Sequence, residues 1–376
     1  MNTSGAQLWL DKIHQLPELA APFNLLNVCG GHERSITHAG LRGVLPKGLN
    51  LIPGPGCPVC VCPEADIALA IAIAMQANVV LLAFGDLLRV PINRTNPCEL
   101  LPKSVKSLSQ AKVAGADIQP IASPLEAKKI AAQQPNKTVV FFAAGFETTM
   151  APVAALLTEF FSHSLPRNLV FLISGRKTWP AVRKLLADAE SAPIHGLIAP
   201  GHVATVMGAH EWQFIPDEFK IPSAIAGFES ESLLRAFHSI LQQSISHKPQ
   251  LENCYPQAVK TQGNLHAQTL LDRCFKVASS QWRGIGSINN SGFTLVPALA
   301  ELDAHNHYAD ISLAIHEAYS QNTMPKNCKC AEVVMAKCLP NQCPLYGTSC
   351  SPRQPLGPCM VSDEGACRIW WSAGHE

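Results

Sequence analysis

Charge is scarce in this chain. Lys, Arg, Asp and Glu make up 15% of its 376 residues, against roughly 25% in an average domain. The net charge is +1 and no dense Lys/Arg run occurs, so the sequence carries no electrostatic footprint for nucleic acid or for an anionic membrane surface. Neither is expected as a partner. Also absent are a Gly-x-Gly-x-x-Gly turn and a Gly-Lys-Ser/Thr phosphate loop, which disfavours nucleotide binding. The start, Met1-Asn2-Thr3-Ser4-Gly5, lacks a basic segment followed by an apolar one and a small-residue cleavage site, and a cytoplasmic protein is expected. The apolar stretch 65–84 imitates a membrane span, but Asp66, Gln76 and Asn78 interrupt it before it runs into Val79-Val80-Leu81-Leu82. It reads as a buried helix followed by a buried strand.

What is present is apolar bulk and sulfur. Apolar residues reach 47% and cysteines number fourteen, seven of them between Cys328 and Cys367. In a chain expected to be cytoplasmic, that many thiols point to metal or redox chemistry rather than a disulfide framework. Short apolar runs at 23–28, 49–52, 79–84, 118–122, 138–143, 168–174, 196–199 and 223–226 alternate with helix-like segments at 63–75, 104–113, 124–132, 149–161, 178–189 and 230–244. Such alternation specifies βαβ units on parallel sheets. The expected fold is α/β. Two parallel-sheet domains, 23–134 and 135–246, would meet at the polar joint Gln133-Gln134-Pro135-Asn136-Lys137 and face a cleft. Residues 247–376 would form an irregular, mainly helical iron-sulfur domain, with the helix of 1–22 packed on it.

Strand ends in open α/β sheets are where ligands bind, and here several carry reactive groups. Cys29-Gly30-Gly31-His32-Glu33 follows the first run; its glycines let backbone amides approach a ligand, and His32 and Glu33 could tune the thiol or transfer protons. Cys57-Pro58-Val59-Cys60 follows the second run and is a Cys-x-x-Cys of redox type, with Cys62 nearby. A helix starting near residue 63 would lower the pKa of these thiols. Gly145-Phe146-Glu147-Thr148-Thr149 supplies either a carboxylate to the cleft or a helix start capped by a threonine. Asp86, Arg89, His202 and Glu229 are weaker candidates at other strand ends.

Near the carboxyl end, Cys330, Cys343, Cys350 and Cys367 are separated by twelve, six and sixteen residues. That spacing is wider than the paired knuckles of a zinc ribbon and fits a 4Fe-4S site, with structural zinc as the alternative. Cys328, Cys338 and Cys359 are not excluded by spacing.

Taken together, these blocks resemble the HypD family of hydrogenase maturation factors. The match runs in order through Cys29-Gly30-Gly31-His32, Gly54-Pro55-Gly56-Cys57-Pro58-Val59-Cys60, Gly85-Asp86 with Arg89-Val90-Pro91, and Gly145-Phe146-Glu147-Thr148-Thr149. It continues through Ala199-Pro200-Gly201-His202-Val203, Gly227-Phe228-Glu229, Trp282-Arg283-Gly284, Cys343-Pro344-Leu345 and Met360-Val361-Ser362 to Glu364-Gly365-Ala366-Cys367. The resemblance implies a scaffold on which the iron of nickel-iron hydrogenases acquires two cyanides and a carbon monoxide. It implies a small HypC-type chaperone and a HypE-type cyanide donor as partners. It also implies Cys29 as an iron ligand shared with the chaperone, Cys57 and Cys60 as a redox pair, and a 4Fe-4S cluster on Cys330, Cys343, Cys350 and Cys367 that relays electrons. His32 and Glu147 are the accompanying catalytic candidates. A thiol-disulfide oxidoreductase coupled to an iron-sulfur cluster is the alternative. The chain departs from the family at Glu33, where many relatives carry threonine, at the extra Cys62 and Cys328, and in a longer loop over 92–102 that contains Cys98.

Overall fold

Most of the apolar runs become strands buried on both faces, as a parallel strand covered by helices must be, while the run at 118–122 forms a half-exposed edge strand. In the computed structural model, which describes residues 5–19, 21–93, 98–188, 193–321 and 324–374, the first eight strands lie within a few residues of the runs. They are β1 (Phe23–Asn27), β2 (Leu49–Pro53), β3 (Val79–Phe84), β4 (Asp117–Ile121), β5 (Thr138–Gly145), β6 (Leu169–Arg176), β7 (Gly196–Ala199) and β8 (Ser223–Ile225). Three more follow: β9 (Leu251–Asn253), β10 (Phe275–Trp282) and β11 (Gly286–Leu295). Residues 94–97 of the loop over 92–102 lie outside the described residues.

The fold is mixed α/β with two largely parallel sheets. One has the order β2-β1-β7-β8-β9 and the other β10-β11-β6-β5-β3-β4. All pairings in the first sheet are parallel; in the second, β10 and β11 form an antiparallel hairpin that joins β6 antiparallel. This division does not follow the expected boundary at 134/135. β1 and β2 share a sheet with β7 and β8, while β3 to β6 form one continuous parallel block across the polar joint. The joint is a capped turn: Asn168 Nδ2 donates to the carbonyls of Ala131, Gln134 and Lys137, and β5 starts immediately after it.

Residues 247–376 are also less separate than expected, since they contribute β9 to one sheet and the β10–β11 hairpin to the other. β10 is buried only at its ends, Phe275 and Trp282, with exposed or half-buried and mostly polar residues between them, and so offers no apolar run. The helix Gly5–His14 packs on the helix Ser230–Ile245 rather than on the carboxyl-terminal region, with Ile13 buried among Leu233, Phe237 and Leu241.

The helix Glu64–Ala74 is buried around nearly its whole circumference, which explains why its sequence imitates a membrane span. No helix among the described residues is long and apolar enough to cross a membrane. This helix, the Cys57–Cys62 segment and Cys330, Cys350, Cys359 and Cys367 belong to one apolar cluster. Packing therefore brings the carboxyl-terminal cysteines onto the strand-end loops.

Candidate functional site

β1 ends at Asn27, and its side chain braces the next loop. Asn27 Oδ1 accepts from the Cys29 backbone N–H, and Nδ2 donates to the Cys29 carbonyl and to Glu33 Oε2, each at 3.3 Å. Cys29 then precedes the helix Gly30–His38. The loop after β2 lies directly on it: the Gly30 N–H donates to the Gly56 carbonyl at 3.2 Å. A Cβ at Gly56 would stand 2.5 Å from Gly30 N and 2.6 Å from Cys29 Cα, and one at Gly30 would stand 2.4 Å from the Glu364 carbonyl oxygen. Only glycine permits three backbones to meet this closely.

Cys57 and Cys60 are joined as a disulfide with Cα atoms 5.3 Å apart. Cys57 caps the start of the one-turn helix Pro58–Val61 and Cys60 lies within it, and a separate helix, Glu64–Ala74, follows. Cys29, Cys57 and Cys60 line one small cavity together with Glu33, Cys359 and Glu364. Burial pushes the Cys29 thiol up to about 12; the negative charge of Glu364 adds to this, and the backbone N–H groups of His32 and Gly31 oppose it.

His32 is fully buried, and Nε2 lies 2.9 Å from the Ala226 carbonyl. A carbonyl only accepts, so Nε2 carries the proton and Nδ1 is a bare lone pair; Nδ1 has no hydrogen-bond partner. Burial drives the pKa of His32 down to about 4 against the Ala226 hydrogen bond, with His202 lowering it further. Phe228 lies beside the His32 ring and stacks on His202. Glu33 is fully engaged: Oε1 accepts from Arg42 and from Trp370 Nε1, both at 2.7 Å. It ties the Cys29 helix to the final helix, Ala366–Ser372.

Other strand-end groups fall outside the cavity. Glu147 opens the helix Glu147–Thr158 and accepts from the Thr178 N–H and hydroxyl at 2.7 Å each. No threonine caps that helix. Glu147 lies close enough to Glu211 for the two charges to repel, and Lys177 offsets both. Asp86 accepts from the Ser362 hydroxyl at 2.8 Å and so clamps the carboxyl-terminal region. Cys62 lies 3.4 Å from the Ser174 hydroxyl, which donates to Asp66 at 2.5 Å.

The carboxyl-terminal cysteines form a second, adjoining group. The sulfurs of Cys330, Cys359 and Cys367 lie within 4.8 Å of one another, all buried. Cys343 hydrogen-bonds with Cys328, which also contacts Cys330. Cys350 Sγ accepts from the Leu356 N–H at 3.3 Å. Of the four expected ligands, Cys330 and Cys367 thus belong to the trio and Cys343 and Cys350 do not. Cys359 takes the third place and also faces the Cys29 cavity, a position that spacing could not single out.

Soft, buried sulfur donors suit an iron-sulfur centre, and Gly357 is pressed against them: a Cβ there would stand 2.4 Å from Cys330 Sγ and 2.7 Å from Cys328 Sγ. The family model described as "HypD: Hydrogenase formation hypA family" matches residues 5–374. The chain belongs to the HypD family. It is 38% identical to the hydrogenase maturation factor HypD of Escherichia coli (strain K12) over 351 residues, 93% of this chain and 89% of the relative. Likewise it is 36% identical to HypD of Azotobacter vinelandii over 359 residues, 94% and 90% of the two chains. HypD of Rhodobacter capsulatus is 36% identical over 358 residues, with the same coverage. The cysteine trio and the close Cys57–Cys60 pair give this HypD-family chain a sulfur-rich centre fit for metal.

Proposed function

We propose that this chain is a cytoplasmic scaffold for assembling the iron-dicyanide-carbonyl unit of nickel-iron hydrogenases. One observation carries the reading: Cys29, the Cys57–Cys60 disulfide and Cys359 line a single cavity, while Cys359 also shares the sulfur trio with Cys330 and Cys367. A ligand thiol, a two-electron redox pair and a metal-binding group then converge on one point.

The iron being assembled is cargo. Cys29 would hold it together with a thiolate from a small HypC-type chaperone, and a HypE-type partner would present cyanide as a thiocyanate. Binding iron requires the Cys29 thiolate, so a thiol held near 12 releases its proton on loading. The N–H groups of Gly31 and His32 favour that thiolate. Cys57 and Cys60, as a dithiol, would supply two electrons: the thiocyanate S–C bond breaks, the disulfide forms, and the products are the donor thiol, cyanide and one proton. Cys330, Cys343, Cys350 and Cys367, with Cys359 as the competing ligand, would hold a 4Fe-4S cluster. Such a cluster, when bound, supplies single electrons at low potential.

Burial favours this reading over a general thiol-disulfide oxidoreductase. Cys57 and Cys60 are only 4% and 2% exposed and share their cavity with Cys29, which ties the pair to chemistry at Cys29 rather than to disulfides on arbitrary protein surfaces. The test is infrared spectroscopy of the chain co-purified anaerobically with its small chaperone. Cyanide and carbonyl stretches are expected from the wild type and absent from Cys29→Ala, which should keep its cluster absorption near the visible. Unchanged bands in Cys29→Ala would overturn the assignment.

A further inference from the structure

We propose that a basic groove beside the carboxyl-terminal cysteines docks an acidic one-electron carrier protein. Arg89, Lys106, Lys326 and Arg353 line this groove with Met324 and Leu356, and no Asp or Glu is among its lining residues. All four cations are exposed, and none pairs with a carboxylate among the described residues. In a chain that is 15% charged with a net charge of +1, this is a marked local excess of one sign.

The wall of the groove is also the jacket of the cysteines. Leu356 donates its N–H to Cys350 Sγ at 3.3 Å. The carbonyl of Pro325, another lining residue, accepts from the Cys328 N–H at 2.9 Å. Arg89 reaches the Val361 carbonyl at 3.4 Å, two residues beyond Cys359. A molecule seated against Leu356 is separated from Cys350 Sγ by the backbone of that residue.

The chemistry selects the occupant. Four exposed cations beside the half-buried apolar side chains of Met324 and Leu356 suit the small, electrostatically steered contacts of transient electron-transfer pairs. The lining contains no aromatic side chain, so nothing stacks the bases of a nucleic acid. The proposal rests on reading the cysteine group as an iron-sulfur centre. Two docking events supply two electrons; with two protons from solvent, these open the Cys57–Cys60 bond to two thiols and leave two oxidised carriers.

The test uses an acidic plant-type [2Fe-2S] ferredoxin as the probe and the full chain, by calorimetric titration at low and high salt. Binding should weaken steeply with salt. Lys106→Glu combined with Arg353→Glu should raise Kd by about tenfold or more and flatten the salt dependence, whereas Lys276→Glu on β10 should do neither. Iron content and melting temperature of the double variant should match the wild type. An equal Kd for wild type and double variant, with iron and sulfide present, overturns the docking surface alone. So does tight one-to-one binding of inorganic phosphate that the double variant abolishes, which would mark a small-anion site. A protein that purifies without iron and sulfide, yet binds ferredoxin with this charge dependence, sinks the cluster reading and leaves the docking surface standing.

Discussion

Cys29, Cys57 and Cys60 sit just past the ends of β1 and β2, while the cysteines between 328 and 367 sit on turns and short helices, none of them on a strand. The strand-end thiols are held by regular structure and close backbone contacts at Gly30 and Gly56. The later cysteines are held largely by one another and by packing of their segments onto the one-turn helix Pro58–Val61 and the helix Gly30–His38. A position fixed by backbone tolerates loss of its sulfur, whereas a region held by sulfur does not.

The largest effect should therefore come from the second region. Cys330→Ala or Cys367→Ala removes a member of the trio and should strip most bound iron and lower the melting temperature, because metal binding there is coupled to folding. Cys29→Ala should leave both nearly unchanged. Iron analysis beside thermal melting checks the pair, and equal losses would break the comparison.

Next come the two glycine contacts. A Cβ at Gly56 meets backbone atoms of Val28, Cys29 and Gly30, whereas one at Gly357 meets the side-chain sulfurs of Cys330 and Cys328. Gly56→Ala should cost about 3 kcal/mol of stability, at the upper end for overpacking. Gly357→Ala should act chiefly on iron affinity, since side chains yield more readily than backbone. Denaturant titration and iron retention separate the two.

A smaller effect is expected from pH. His32 has its folded pKa lowered from 6.5 to about 4 by burial. The unfolded chain then binds the extra proton between these values, so the contribution is present above about 6.5 and lost as pH falls toward 4. Stability measured across that window should fall less for His32→Gln than for the wild type. The smallest effect belongs to Cys98→Ser. Cys98 is only partly buried and joins neither the cavity nor the trio, and its replacement should alter neither iron content nor stability by more than about 0.5 kcal/mol.

Much of this arrangement was legible in the residues. Runs such as Val79-Val80-Leu81-Leu82 announce buried parallel strands because both faces must be apolar, and glycine or cysteine directly after them marks the loops at the sheet edge. Glu147 too follows a strand, and only the fold revealed that Thr178, 31 residues on, donates to both of its carboxylate oxygens. Glu33 drew notice as a neighbour of Cys29, and only the fold revealed that Arg42 and Trp370 occupy it.

By itself, the order of residues determined the α/β class, the eight apolar strands and the placing of Cys29, Cys57 and Cys60 at strand ends, because periodicity and turn chemistry act within a few residues. Only the tertiary structure decided which sheet each strand joins, since parallel pairing depends on crossovers that carry no local mark. It also decided that Cys359, one of seven cysteines alike in sequence, is the sulfur that faces both the trio and the Cys29 cavity, because proximity between distant segments is set by packing.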